Sequence, residues 1–271
     1  MSGTGAAMRQ AMRVIIVLAA SLCIAVAARA ADLTAEQVRD ALAGANGHHP
    51  ADFAAKDLSD LDLSGLDFSH ANLVHANLFG AKLVGAKFIG ADLESARLDL
   101  AWIMRADFSG ANLKNASIFG PVVSTTMAAP PPSEAPRFTG ANLSGARIIA
   151  RFNGVDMRGA KFVGARLGVD LKNQPMGQMR NDFTSSDLTG ADFAGADVNR
   201  AMLAFAKLAG ANLRGTILFR ADLSGADLTG ADVTGADLTE ADLNGTVLKD
   251  VKGLAAAKGF DHANNRDKAI R

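Results

Sequence analysis

Five histidines, a regular series of aspartates and a group of arginines are the residues of this chain whose types can do chemistry. His48, His49, His70 and His75 lie close together in the sequence, with His262 far away near the end. Imidazoles grouped in this way are natural transition-metal ligands. No carboxylate stands beside them at a recognisable ligand spacing, so surface positions explain them more simply and no metal site is assigned. Aspartate recurs every five residues, as at Asp182, Asp187, Asp192 and Asp197. Two carboxylates can share general acid and base work, but a regular series singles out no pair. Short polar side chains that bond the backbone of a turn account for such a series without catalysis. The nonapeptide of calcium-binding rolls is absent, as are a nucleophile elbow, a phosphate loop, a dinucleotide fingerprint and His-Glu-x-x-His. No catalytic, metal-binding or cofactor-binding residue is therefore assigned, no cofactor is expected, and the chain is read as a non-enzyme.

Two surface features remain. Residues 137–167 carry Arg137, Arg147, Arg151, Arg158, Lys161 and Arg166 against the single acid Asp156, whereas residues 182–248 hold ten acids and four bases. A basic belt beside an acidic segment can hold an anionic polymer or an acidic partner, and a solvated face is the plainer alternative. Phe79, Trp102 and Phe119 fall at outward positions of the preceding stretch, where they form a contact patch or lie under a neighbouring loop.

These residues are positioned by one repeating unit. From Phe53 to Leu248 an apolar residue recurs at every fifth position, through Phe53–Ile118, Phe138–Ile148, Phe152–Leu167 and Phe183–Leu248. Two places before it stands Ala in 26 of 35 cases, so the unit reads as in Ala221-Asp222-Leu223-Ser224-Gly225. Two inward residues separated by one outward residue is strand spacing, and the Ser/Thr and Gly that follow are turn formers. A helix is excluded, because a five-residue interval drifts around a 3.6-residue helix and makes no single face. The composition agrees: with 27 Gly, no Tyr and 6% aromatic residues, the core must be thin and built from small pieces.

The unit resembles that of the pentapeptide-repeat family, Ala-(Asp/Asn)-Leu-x-x, over about two thirds of the chain. The resemblance implies an all-β solenoid, a right-handed quadrilateral β-helix with four repeats to a coil, so that residues 20 apart stack. It would also bring Pro50 beneath His70, with His48 or His49 in reach. The residue before each core position gives an independent check. Four acids, Asp182 to Asp197, are followed by Met202, Lys207, Asn212 and Ile217, and then by Asp222, Asp227, Asp232 and Asp237. Stacked carboxylates about 4.8 Å apart would repel, and a 20-residue coil separates nearly all of them, leaving Asp222 beside Asp242. Phe68, Phe88 and Phe108 are spaced to stack as one interior column.

The register breaks at about 119–137, rich in Pro, and at about 168–181, around Pro175 and Gly177; both read as loops thrown out of the coil. Between Ile148 and Phe152 the interval falls to four, one corner short of a residue. Open solenoid ends need closure. In the N-terminal segment 31–50, Thr34 and Gln37 have capping-box spacing, Leu33 and Val38 staple spacing, and Gly44 is a stop, predicting a helix over 35–43 ahead of the repeats at 51–250. Residues 251–271 read as a helical cap of two short helices, 254–258 and about 261–270.

Residues 1–30 stand apart. Arg9 and Arg13 precede an apolar run from Val14 to Ala28, followed by Ala28-Arg29-Ala30, the pattern of a secretory signal cleaved after Ala30. The run is short for a bilayer span, so no membrane span is expected after cleavage, and removing Cys23 with the signal leaves no disulfide or thiol chemistry. The remaining 25 bases and 28 acids predict no strong pull on nucleic acid or anionic lipid. Some members of the family resemble B-DNA in shape and charge and bind DNA gyrase. The export signal, the near-neutral charge and the basic belt argue against carrying that activity over. The expected function is a binding or structural scaffold of the bacterial periplasm or envelope, facing a protein or an envelope polymer, as a monomer or a homodimer through an end cap. A cytoplasmic gyrase-interacting DNA mimic is the alternative, and an anion- or metal-binding envelope protein the third.

Overall fold

In a computed structural model of the chain, residues 31–45, 49–125, 131, 133–169 and 180–271 are described. The signal-peptide reading of residues 1–30, His48 and the centres of both loops lie outside them. The repeats form a β-solenoid in which each outward residue bridges the one a coil later, in parallel: Asp52 with Asn72, Asp57 with Asn77, Asp62 with Lys82, Asp67 with Lys87. Four such columns, named here the first to fourth faces in the order of those pairs, make the sides of a 20-residue coil.

The five-residue unit dictates this shape locally. Leu at the core position, such as Leu73, is fully buried, and Ala two places earlier is buried too, as at Ala71. The core residue's carbonyl then accepts from the amide three residues on, as from Lys56 to Phe53 at 3.1 Å, closing a tight turn. The outward Asp or Asn also accepts from the backbone amide two residues on, as Asp62 does from Ser64 at 3.2 Å. That bond favours Asp and Asn at this position. The turn's last residue before the next unit has positive φ, and its side chain leans along the axis onto the next coil. A Cβ on Gly90 would come within 2.9 Å of the His70 ring and one on Gly225 within 2.6 Å of the Phe205 ring, so glycine is needed at both for room as well as for conformation.

The core is one continuous cluster from Val38 to Leu248. Phe68, Phe88, Phe108 and Phe138 stack in it with ring centroids 5.0, 4.8 and 4.9 Å apart, so the expected three-ring column gains a fourth ring across the first insertion. Helix α1 (Ala35–Gly44) carries the full capping box, Gln37 N–H to Thr34 Oγ1 at 3.2 Å and Thr34 N–H to Gln37 Oε1 at 2.8 Å, and buries Val38 against the first coil. Two strands, β1 (Ser117–Phe119) and β2 (Arg147–Ile149), pair in parallel across the first insertion.

Three expectations are corrected. The first insertion does not begin at 119: Val122 bridges Trp102 and Val123 is buried at the core position, because the register runs one unit past Ile118 before the chain leaves. The second is narrower as well, since Val169 and Asn181 are buried at its two ends. Residues 251–271 form neither of the two expected helices but a further coil. Lys252, Lys258, Asn264 and Ile270 bridge Asp232, Asp237, Asp242 and Val247. They are six residues apart, and the extra residue in each corner is taken up by a 3-10 turn, at Leu254–Ala256, Phe260–His262 and Arg266–Lys268.

Candidate interaction surface

The belt residues are carried at the outward positions of coils on either side of β2, and the coil geometry spreads them over all four faces. Lys161 lies on the first, Arg147 and Arg166 on the second, Arg151 on the third, and Arg137 on the fourth, with Arg158 at the corner that follows it. The ladder seats this belt directly against the acidic coil: Arg151 bridges Asp182, Lys161 bridges Asp192 and Arg166 bridges Asp197. Arg137 reaches Asp107 at 3.6 Å, and Arg158 is bidentate on Asp156, at 2.9 and 2.7 Å. That guanidinium holds the Asp156 carboxyl below the usual range. The belt is therefore a ring within a largely charge-paired stack, and its like-charged contacts are Arg147 beside Arg166 on the second face and Asp156 beside Asp187 on the fourth.

The same pairing runs along the rest of the faces. Asn72, Asn77, Asn112 and Asn212 donate to the aspartates one coil earlier, at 2.8–2.9 Å, and Lys82, Lys87 and Lys207 approach Asp62, Asp67 and Asp187 at 3.9, 3.7 and 3.6 Å. Hydroxyls at the turns lower several carboxyls further. Asp232, which accepts from Thr234 Oγ1 and the Thr234 amide and faces Arg214 at 3.0 Å, is brought down to about 2. Exposed pairs of this kind contribute little each; what they set is a surface without a long run of one sign.

Phe79, Trp102 and Phe119 do not form one cluster. Phe79 and Phe119 share the corner between the second and third faces but are separated by Asp99, and Arg97 stacks over Phe79 at 4.3 Å while bonding Asp99 at 2.8 Å. Trp102 stands on the third face, 41% exposed. Phe205 at 65%, Leu100 at 43% and Ile217 at 42% are further exposed apolar groups that the spacing analysis passed over. Phe205 and Leu100 occupy the turn position that is usually Gly, and a bulky residue there was the available signal.

The buried polar residue Asn181 was also missed. It fills the inward position normally held by Ala, donates to the carbonyls of Ile148 and Leu167 at 2.8 and 2.5 Å, and accepts from the Ala150 amide at 2.8 Å. The Ile148 carbonyl and Ala150 amide are left over by the four-residue corner, and the Leu167 carbonyl by the start of the second insertion. His70 lies over Gly90 and His75 is exposed at another turn. Among the described residues no group of three or more His, Cys, Asp or Glu is placed to hold a metal, and no helix is long and apolar enough to cross a membrane.

A family model described as pentapeptide repeats matches residues 57–94, 81–118, 182–218 and 216–252, in 8 copies. A search of curated proteins gave no match. Among solved structures, HetL, a pentapeptide-repeat protein involved in heterocyst differentiation regulation from Nostoc sp. strain PCC 7120, is 26% identical over 88% of this chain and 94% of its own, with a TM-score of 0.47. A pentapeptide-repeat protein from the Arabidopsis thaliana thylakoid lumen is 34% identical over 42% of this chain and 66% of its own, with a TM-score of 0.25. Trypsin-treated QnrB1, a plasmid-mediated fluoroquinolone resistance protein, is 18% identical over 75% of this chain and 86% of its own, with a TM-score of 0.42.

Proposed function

The chain belongs to the pentapeptide-repeat family, and from that premise we propose that it is a non-catalytic binding or structural scaffold of the bacterial periplasm or envelope, exported by residues 1–30 and cleaved after Ala30. The observation that carries this reading is the pairing of charge along the outward columns. Many aspartates are bonded to amides or cations of the adjacent coil, among the described residues only Asp156 with Asp187 and Asp222 with Asp242 stack as bridged acid pairs, and a ring of bases crosses the stack. A DNA mimic needs the opposite, a continuous line of anions spaced like phosphates. Flat faces of mixed charge with separate exposed apolar groups instead suit contact with a protein or an envelope polymer. The coil is taken as right-handed on the family resemblance, and α1 as the closure of its front end because an open solenoid end needs a cap and Val38 is buried in the core cluster.

The test is to express the full-length chain with a C-terminal tag, fractionate the cells and sequence the N-terminus of the product. The expected product is in the periplasmic or envelope fraction and starts at Ala31. A cytoplasmic product that keeps Met1 would overturn the export reading and restore the DNA mimic as the better account.

A further inference from the structure

The third face differs from the other three in its order of residues. Between Asp62, which lies 3.9 Å from Lys82, and Asn264 at its two ends run eight residues, Lys82, Trp102 and Val122, then Arg151, then Asp182, Met202, Asp222 and Asp242, linked by bridges and, between Val122 and Arg151, by the neighbouring pair of Phe119 with Ile149. All eight are exposed or half-buried. Counted outward from the middle, three of the four pairs are complementary, Arg151 with Asp182, Val122 with Met202 and Lys82 with Asp242, while Trp102 falls opposite Asp222.

A strip that is complementary to its own reverse fits a second copy turned end for end. In such a twofold contact residue i of one copy meets residue j of the other and j meets i. We propose that two copies of this chain pair side by side, antiparallel, through the third face. The strip spans eight coils, about 34 Å at about 4.8 Å per coil. Arg151 at its centre and Trp102 farther out are residue types that dominate interface energetics.

A further observation supports a partner here. Asp222 and Asp242 are stacked as direct neighbours and accept only uncharged donors, Ser224 and Asn265 with turn amides, without a salt bridge among the described residues; in the pair Asp242 gains the Lys82 cation of the other copy. At the corner beside the strip, the exposed Leu100 comes opposite Arg220, which stacks over the Phe219 ring at 5.0 Å. The other faces lack this property. About the same centre the second face would oppose Arg147 to Arg166, and the fourth would oppose Asp156 to Asp187 and Arg137 to Lys207. The first face is chiefly Asp and Asn that bond one another along their own column.

Sedimentation of the purified chain over the micromolar range tests the pairing, whatever compartment the protein occupies. The expected species is a dimer. Lys82→Glu and Asp242→Lys, each alone, should weaken it at least tenfold. Mixing the two variants, or combining both changes in one chain, should restore it. Lys82 and Asp242 lie at opposite ends of the strip within one chain, so only contact between copies can couple them. Trp102 is the only tryptophan, and its emission should move to shorter wavelength as the dimer forms. A monomer throughout the range, or a dimer that the single changes leave intact or the swap fails to restore, overturns the proposal.

Discussion

The block from Phe183 to Leu248 and the stretch from Arg147 to Asp182 are built from the same five-residue unit, yet they hold their backbones together by different means. In the block every coil repeats at 20 residues, the inward seat is Ala or a hydroxyl residue, and amides and carbonyls pair coil to coil. In the stretch one corner has lost a residue, Ile149 and Ala150 are drawn inside, and an insertion separates Leu167 from the next coil. There a single side chain, Asn181, replaces the missing turn bonds. A solenoid thus tolerates a change of register where a polar side chain can satisfy the backbone groups the change leaves over.

That contrast can be broken in four ways. The largest effect is expected in the regular part, where stability rests on packing: Phe108→Ala removes an inner ring of the four-ring column and should cost about 3–5 kcal/mol in urea unfolding. Asn181→Leu keeps the branched shape but leaves two carbonyls and an amide without partners, with an expected loss of about 2–4 kcal/mol. Thr216→Ala at the equivalent seat of the regular block, where the hydroxyl bonds only the Phe193 carbonyl at 2.8 Å, should cost about 1 kcal/mol or less. Equal losses for the two changes would remove the special role given to Asn181.

A smaller difference separates two glycines of the regular block. Gly225→Ala and Gly230→Ala both place a side chain at positive φ, at about 1–2 kcal/mol, but only Gly225 lies under another group, the Phe205 ring. Thermal unfolding should rank Gly225→Ala as the less stable, and Phe205→Ser should abolish the ranking. The smallest effect concerns acid. Asp232 is lowered from 3.8 to about 2 in the fold, first by the Thr234 hydroxyl. A depressed carboxyl stabilises the fold fully above its unfolded value, and that contribution is lost as pH falls from 3.8 through about 2. Thr234→Val should raise the Asp232 midpoint in an NMR titration and flatten the acid-side decline in melting temperature; an unchanged midpoint would remove the hydroxyl as its cause.

The regular part was legible because its signal is redundant. Leu or Phe at the core, Ala two places before it and Asp or Asn between them all report one geometry, and the order of charges in fours reported the coil length. Val123 is hard to read because it is the last residue in register, standing alone between Pro121 and the Pro-rich insertion. The last coil was misread for a related reason. Ala257, Ala263 and Ala269 recur at six, with Gly253, Gly259 and Asn265 as turns, and a search at five could not see it. The surface was less legible than the core. The belt was found as a composition, but its placement around four faces, its pairing with the acidic coil and the separation of Trp102 from Phe79 and Phe119 follow from stacking, which needs the register across both insertions.

The claim that this surface carries paired charge, and so serves as a scaffold instead of imitating DNA, is tested most directly by a DNA gyrase supercoiling assay with the purified chain. Supercoiling is expected to proceed at its uninhibited rate with the chain in large molar excess over the enzyme. Dose-dependent inhibition that is lost when Asp222 and Asp242 are changed to Asn would contradict it.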